Sequence, residues 1–320
     1  MKTNKYFNKM VLYNRLSPEE LKERIESEDF QRKTVSFYRY VIIDNPQEFR
    51  DELYITLDEL QCYGRIYVAN EGINAQMNIP EHNIELFKNY LDSVEYLHNM
   101  PLKWAIEEKE HSFLKLIIKV RPKIVADGLN DTVFDVTDVG THLTPLEFHE
   151  LSLRDDIFIV DMRNNYESEV GHFKNAIKPD AETFREEIKM VVDELEFAKD
   201  KKILLYCTGG VRCEKASAWL KHHGFSDVNQ LHGGVIAYAA EVKSQNLESQ
   251  FIGKNFVFDN RLGERVTDDI LSNCHQCGNP SDRHTNCALD SCHDLVIQCE
   301  KCADEYAGCC SSQCYDNFTE

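Results

Sequence analysis

A cysteine opens a glycine-bearing loop, Cys207-Thr208-Gly209-Gly210-Val211-Arg212, directly after the apolar run Ile203-Leu204-Leu205-Tyr206. The residues from Cys213 to Leu220 that follow it read as a helix. Strand, tight loop and helix N-terminus in that order form an anion cradle, because backbone N–H groups converge there and the helix dipole adds positive potential. A thiol at the mouth of such a loop is expected to have a depressed pKa and to act as a nucleophile. The alternative is an inert cysteine buried at a strand end, which leaves two glycines and an arginine in the next five positions unexplained. Gly209 and Gly210 allow backbone angles that turn N–H groups inward. Arg212 either holds the loop and its anionic contents or pairs with a carboxylate elsewhere in the domain. Cys213 either resolves an oxidised Cys207 as a disulfide or is the first apolar residue of the helix.

A second group of chemistry-bearing residues lies near the C-terminus. Nine of the 12 cysteines fall between Cys274 and Cys314. They run Cys274-x2-Cys277, Cys287, Cys292, Cys299-x2-Cys302, Cys309-Cys310 and Cys314, with His275, His284 and His293 among them. Two Cys-x2-Cys pairs separated by 21 residues have structural zinc spacing. Nine cysteines suffice for two four-ligand sites with one left over. Disulfides, a redox role or an iron–sulfur cluster are the other readings. Few apolar residues accompany them, so this segment needs such staples.

The elements that position these residues read as mixed α and β structure. Ser17-Pro18-Glu19-Glu20 and Thr144-Pro145-Leu146-Glu147 are capping boxes that open helices. In the first third, strands are expected at 36–43, 64–69, 73–79, 102–106 and 113–120, and helices at 44–62 and 83–94. The first six of these elements, β-α-β-β-α-β, have the order of the ferredoxin-like split βαβ unit. Arg121-Pro122-Lys123 makes a boundary, since proline disrupts a central strand. Beyond it, short apolar strands at 157–160, 203–206 and 228–231 alternate with helices, which implies a parallel sheet covered on both faces. Active sites lie at the carboxyl ends of such strands, and Cys207 sits at one. Asp161 and Arg163 end a neighbouring strand and are read as supports of the loop, with structural pairing preferred over proton transfer. His172 and His232 are the candidate general bases. Three parts result: 1–123, 124–250 and the Cys-rich 251–320.

The formal net charge is −19, which disfavours nucleic acid as a partner of the chain as a whole. The charge is uneven. Residues 1–123 carry a net −2, residues 124–250 a net −10 and residues 251–320 a net −7. A basic run at Lys115, Lys119, Arg121 and Lys123 makes the first part the candidate phosphate-facing surface. The plainer reading is an edge strand blunted by charge. Asn70-Glu71-Gly72-Ile73-Asn74 is unusual for a plain hairpin, and Glu71 and Asn74 are candidate polar contacts to RNA. No stretch approaches the ~20 apolar residues of a membrane span, and Met1–Phe7 has no apolar signal-peptide region. The expected address is the cytoplasm, where disulfides seldom persist. Gly-x-Gly-x-x-Gly is absent, so no flavin or nicotinamide site is expected. No residue pattern names an electron donor or fixes an oligomeric state.

Residues 124–250 resemble a rhodanese domain. The resemblance is carried by Asp161-x-Arg163 with Glu167, Gly171-His172 with Ala176, the Cys207 loop, and Leu231-x-Gly233-Gly234. Cys207 to Arg212 is Cys-x4-Arg, the six-residue rhodanese loop, rather than the longer Cys-x5-Arg of related phosphatases. Tyr238 stands where many rhodaneses have Trp, a change expected to affect packing alone. The whole chain resembles the rhodanese-type tRNA uridine hydroxylases of bacteria. Asn70–Asn74, Cys207–Ala216 and the cysteine-rich tail carry that resemblance, in the right order, over about 70–315. It implies a tRNA substrate, oxygen-dependent hydroxylation of the wobble uridine to 5-hydroxyuridine, and molecular oxygen as co-substrate. The alternative on the same loop is a sulfurtransferase carrying a persulfide on Cys207. A non-catalytic scaffold is disfavoured by the intact Cys207.

Overall fold

Ser17 Oγ accepts the Glu20 N–H while the Glu20 carboxylate accepts the Ser17 N–H, and Pro18 stands at the first helical position. Helix α1 (Pro18–Glu26) therefore starts where the capping box places it. The structure is a computed structural model that describes residues 12–107 and 111–319. The chain divides into two compact units, Met1–Trp104 with Glu110–Ile124, and Ala105–Lys109 with Val125–Glu320.

In the first unit, α1 is followed by β1 (Arg32–Tyr40), α2 (Pro46–Glu59), β2 (Tyr63–Ala69), β3 (Gly72–Pro80), α3 (Ile84–Ser93), β4 (Lys103–Trp104) and β5 (Leu116–Val120). The sheet order is β4-β1-β3-β2-β5. Its first four strands have split-βαβ connectivity, and β5 adds a parallel strand at the β2 edge. The expected order holds, with the two strands after α3 at opposite edges of the sheet. Strand β1 starts four residues earlier than the apolar run suggests. Its first residue is a buried arginine whose guanidinium bonds Glu28, Asn78 and the Gln61 carbonyl, and lies 3.9 Å from the Tyr63 ring centroid. Val35, Phe37, Ile66, Val68, Ala75 and Met77 line the inner face against Leu53, Leu57 and Phe87 of the helices. Gly72 has φ +144°, and a Cβ there would lie 2.0 Å from the Arg39 carbonyl oxygen, so the β2–β3 turn requires glycine.

The second unit runs β6 (Thr141–Leu143), α4 (Pro145–Ser152), β7 (Phe158–Asp161), α5 (Asn165–Ser168), β8 (Gly171–Phe173), α6 (Phe184–Glu194), β9 (Lys202–Tyr206), α7 (Val211–His222), β10 (Asp227–Leu231) and α8 (Gly234–Ser244). Four parallel strands lie in the order β6-β10-β9-β7. Alternation along β9 sends Ile203 and Leu205 to one face with Ile188, Val191, Ala216 and Leu220, and Leu204 and Tyr206 to the other with Phe148, Val235 and Tyr238. Both faces are covered, as continuous apolar strands require. Tyr238 is buried; its hydroxyl accepts the Gln250 N–H and lies 2.9 Å from His149 Nδ1. The chain then forms β11 (Phe251–Asn255) and β12 (Glu264–Arg265), and β11 pairs antiparallel with both β12 and β8. The hairpin β13 (His284–Asn286) and β14 (Leu295–Ile297) and the short helices α9 (Glu300–Glu305) and α10 (Ser312–Thr319) complete it.

Candidate active site

Strand β9 ends at Tyr206, and Gly210 takes φ +100° immediately before α7 begins at Val211. That turn folds the loop back over Cys207, whose Sγ accepts the Gly210 N–H at 3.1 Å. The loop is fixed from its other side by α8. The Cys207 and Thr208 carbonyls accept two N–H groups from the first turn of that helix, Val235 at 3.0 Å and Ile236 at 3.2 Å. Gly234 makes the approach possible, since a Cβ there would lie 2.5 Å from both carbonyl oxygens. A Cβ on Gly209 would meet nothing within 4 Å, so the loop is open at that point.

Cys207 is fully buried. Burial opposes the thiolate, but the Cys213 thiol, the Arg212 guanidinium and the N–H groups of Cys213 and Arg212 more than offset it, and the thiol is lowered to about 5. The group is therefore a desolvated thiolate at neutral pH. Cys213 is its counterpart, a thiol held protonated by burial and by its hydrogen bond to Cys207, and it also packs in the core beneath α7. The difference in absorbance at 240 nm between the protein and its Cys207→Ser variant should titrate with a midpoint near pH 5; a midpoint near 9 would show an ordinary thiol. Because the folded pKa lies below the unfolded one, the thiolate's contribution to stability is complete above pH ~9 and is lost as pH falls toward 5.

The Arg212 guanidinium forks onto the fully buried Glu167 at 2.6 and 2.8 Å, and its charge acts on the Cys207 thiolate. Thr208 Oγ1 donates to Glu167 at 3.1 Å and lies 3.5 Å from the Phe256 carbonyl oxygen, just past β11. Asp161 and Arg163 form a fully buried bidentate pair at 2.8 and 2.7 Å. Arg163 also donates to the Gly171 carbonyl, and the Tyr206 hydroxyl donates to Asp161 at 2.6 Å. These groups tie β7, β8 and β9 together, which is structural pairing. His172 Nδ1 lies 3.1 Å from the Phe173 carbonyl oxygen, with its pKa lowered by burial, and the His232 ring packs 5.7 Å from that of His142.

Sequence reasoning overlooked Glu187. It projects from α6 into the core, fully buried, and neither carboxylate oxygen has a hydrogen-bond partner among the described residues. Burial pushes its pKa well up; Arg212 opposes this, while Asp161, Glu167 and the Cys207 thiolate reinforce it. The available signal was a glutamate on the same helical face as Phe184, Ile188 and Val191.

Eight of the nine tail cysteines form two clusters, Cys274, Cys277, Cys299 and Cys302, and Cys287, Cys292, Cys310 and Cys314. All sulfurs of a cluster lie within 4.8 Å of one another. The closest pairs are 3.7 Å (Cys277–Cys299), 3.7 Å (Cys292–Cys310) and 3.6 Å (Cys310–Cys314). Tetrahedral zinc with Zn–S of about 2.3 Å places its sulfurs about 3.8 Å apart, so the donor sets fit. Cys309, buried, is the one left over.

In the first unit, Lys115, Lys119 and Arg121 lie along one exposed side of edge strand β5 and its ends, with Lys123 half-buried beyond. Glu71 and Asn74 are half-buried. The Glu71 carboxylate accepts the Ile124 N–H at 2.7 Å, and Asn74 donates to the Ile124 carbonyl at 3.3 Å, pinning the end of the unit to the β2–β3 turn.

Three family models match in succession: a UPF0176 acylphosphatase-like domain at residues 32–124, a rhodanese-like domain at 144–241 and a rhodanese C-terminal domain at 252–315. A tRNA uridine(34) hydroxylase of Leptospira interrogans is 54% identical over 96% of this chain and 83% of its own. One from Pectobacterium carotovorum is 51% identical over 96% of this chain and 87% of its own. Among solved structures, a rhodanese-like domain protein from Staphylococcus aureus aligns with 31% of this chain and 90% of its own, at 26% identity and a TM-score of 0.26.

Proposed function

Since the chain belongs to the tRNA uridine(34) hydroxylase family, we infer that its own site performs that reaction, with Cys207 as nucleophile. The protein is an oxidoreductase that hydroxylates the wobble uridine of tRNA. The observation that best supports Cys207 as its centre is a buried thiolate held by converging N–H groups and an arginine. The proposed step is addition of the Cys207 sulfur to C6 of the uracil. As the S–C6 bond forms, the C5=C6 π pair moves into the C5–C4–O4 enolate, and C5 becomes electron-rich. Molecular oxygen is the proposed co-substrate at C5. One oxygen atom is retained and the other leaves as water, so an external reductant supplies two electrons. Loss of the C5 proton and expulsion of the thiolate then give 5-hydroxyuridine.

Arg212, with Thr208, Gly209, Gly210 and Val211, keeps the thiolate in place. Asp161 and Arg163 keep the strand ends in place, and Cys213, whose thiol hydrogen-bonds Cys207, is the proposed resolving thiol. Residues 1–123 are assigned to tRNA binding, 124–250 to the reaction and 251–320 to metal. A tRNA substrate supports a cytoplasmic address, and no helix among the described residues is long and apolar enough to cross a membrane. Nucleoside mass spectrometry of tRNA from cells with and without the gene tests the reading. Loss of 5-hydroxyuridine supports it; unchanged 5-hydroxyuridine with depleted thiouridine replaces it with persulfide transfer from Cys207.

For the tail, the proposal is one structural zinc ion in each four-cysteine cluster. Purified protein should carry two zinc ions by elemental analysis, and Cys274→Ser and Cys310→Ser should each remove one. A content that neither substitution changes would exclude these ligand sets. Strong chelators should melt the tail, because a small segment with little apolar core depends on its metal to fold.

A further inference from the structure

The first unit holds a cavity of about 450 Å³ between the segment leading into α1, the α2 face and the start of β5. That volume lies in the range of small-ligand sites. Its lining is basic and aromatic. Arg15 and Lys115 are exposed, and neither makes an ion pair among the described residues. Arg24 reaches across the floor to the Leu114 carbonyl, with its Nε buried and without a hydrogen-bond partner among the described residues. Tyr13 is 64% exposed, and the Arg15 guanidinium stands 5.8 Å from its ring centroid. The Tyr63 ring is stacked by Arg24 at 4.3 Å and Arg32 at 3.9 Å. Asp58 is the one carboxylate in the lining among the described residues.

We propose that this cavity binds one nucleotide of the substrate RNA strand, away from the target uridine. The inference rests on the tRNA reading above and deepens it. The unpaired cations of Arg15 and Lys115 take the phosphodiester. The exposed Tyr13 ring takes the base, since stacking on an aromatic ring accepts any base. Asp58 offers an acceptor to the ribose 2′-hydroxyl or to a base amine. The exposed cations continue from Lys115 along β5 to Lys119 and Arg121, a track for the adjoining phosphates. Charge makes the site necessary as well as suitable. A chain of net charge −19 repels RNA over most of its surface, so binding must be carried by a few local cations.

The test uses the full-length protein and a substrate tRNA with unmodified uridine at position 34. Binding is read by fluorescence anisotropy over a salt series, and hydroxylation by nucleoside mass spectrometry. Replacing Arg15 and Lys115 together by alanine should weaken binding about tenfold and lower the salt slope by about 0.7, the value for one single-strand phosphate. KM should rise with kcat unchanged at saturating tRNA. Tyr13→Ala should cost about tenfold in affinity while Tyr13→Phe keeps it, because stacking needs the ring and not the hydroxyl. A double variant that folds, by its thermal transition, and binds and turns over tRNA as the parent does would overturn the nucleotide site and leave the hydroxylase reading intact. A parent protein that neither binds nor hydroxylates tRNA would overturn both.

Discussion

Replacing Cys207 by serine should reduce hydroxylation of tRNA by on the order of 10³-fold or more while leaving the fold and tRNA affinity unchanged. Serine is nearly isosteric and can still accept the Gly210 N–H, so the loop keeps its shape. Its hydroxyl, however, stays protonated where the thiol is lowered to about 5. No cradle of this size brings an alcohol into the same range, so the variant lacks a nucleophile at neutral pH. The readout is single-turnover formation of 5-hydroxyuridine on purified tRNA, with anisotropy confirming that binding persists. Activity within tenfold of the parent would remove Cys207 from the reaction, and the persulfide alternative with it. The acidic limb of the parent's pH–rate profile should fall near pH 5, the value at which the thiolate is lost.

The second large effect concerns stability. Asp161→Ala leaves the Arg163 guanidinium fully buried without its carboxylate, and strands the Tyr206 hydroxyl. Removing one partner of a buried ion pair costs about 3–5 kcal/mol. For a unit of this size that lowers the unfolding temperature by about 10 °C. Urea unfolding followed by circular dichroism measures the loss. A change below about 1 kcal/mol would mean that water or another acceptor replaces the carboxylate. Asp161→Asn, which still accepts hydrogen bonds, should retain part of the lost stability.

The loop was legible in the sequence because its physics is local: an apolar strand, two glycines and a helix start fall within a few consecutive residues. The capping boxes at Ser17 and Thr144 were legible for the same reason, and both helices begin where they indicate. Strand β11 was not, because Phe251–Asn255 has no neighbour in sequence that explains it. Its partner, β8, lies some eighty residues earlier. Glu187 was missed since periodicity assigns a face to a helix but not the charges opposite it. The division of the tail cysteines into two sets was likewise hidden. Spacing suggested Cys-x2-Cys pairs, whereas the second set draws Cys287, Cys292, Cys310 and Cys314 from a hairpin, a turn and a helix. The roles of Glu71 and Asn74 depend on where Ile124 returns, a tertiary fact with no local signature.

Strand β11 has a consequence for how this chain can be cut. It extends the pairing of β8, its last residue, Asn255, lies beside the buried Arg163, and the next carbonyl faces Thr208 of the loop. A fragment ending at residue 250 would look complete by composition, yet it would expose Phe173 and leave one wall of the loop unbuilt. The cysteine-rich segment is thus no detachable appendage. Gene truncation there would not yield a smaller working enzyme, and loss of the cysteine-rich tail would reach the thiolate through a strand that belongs to both.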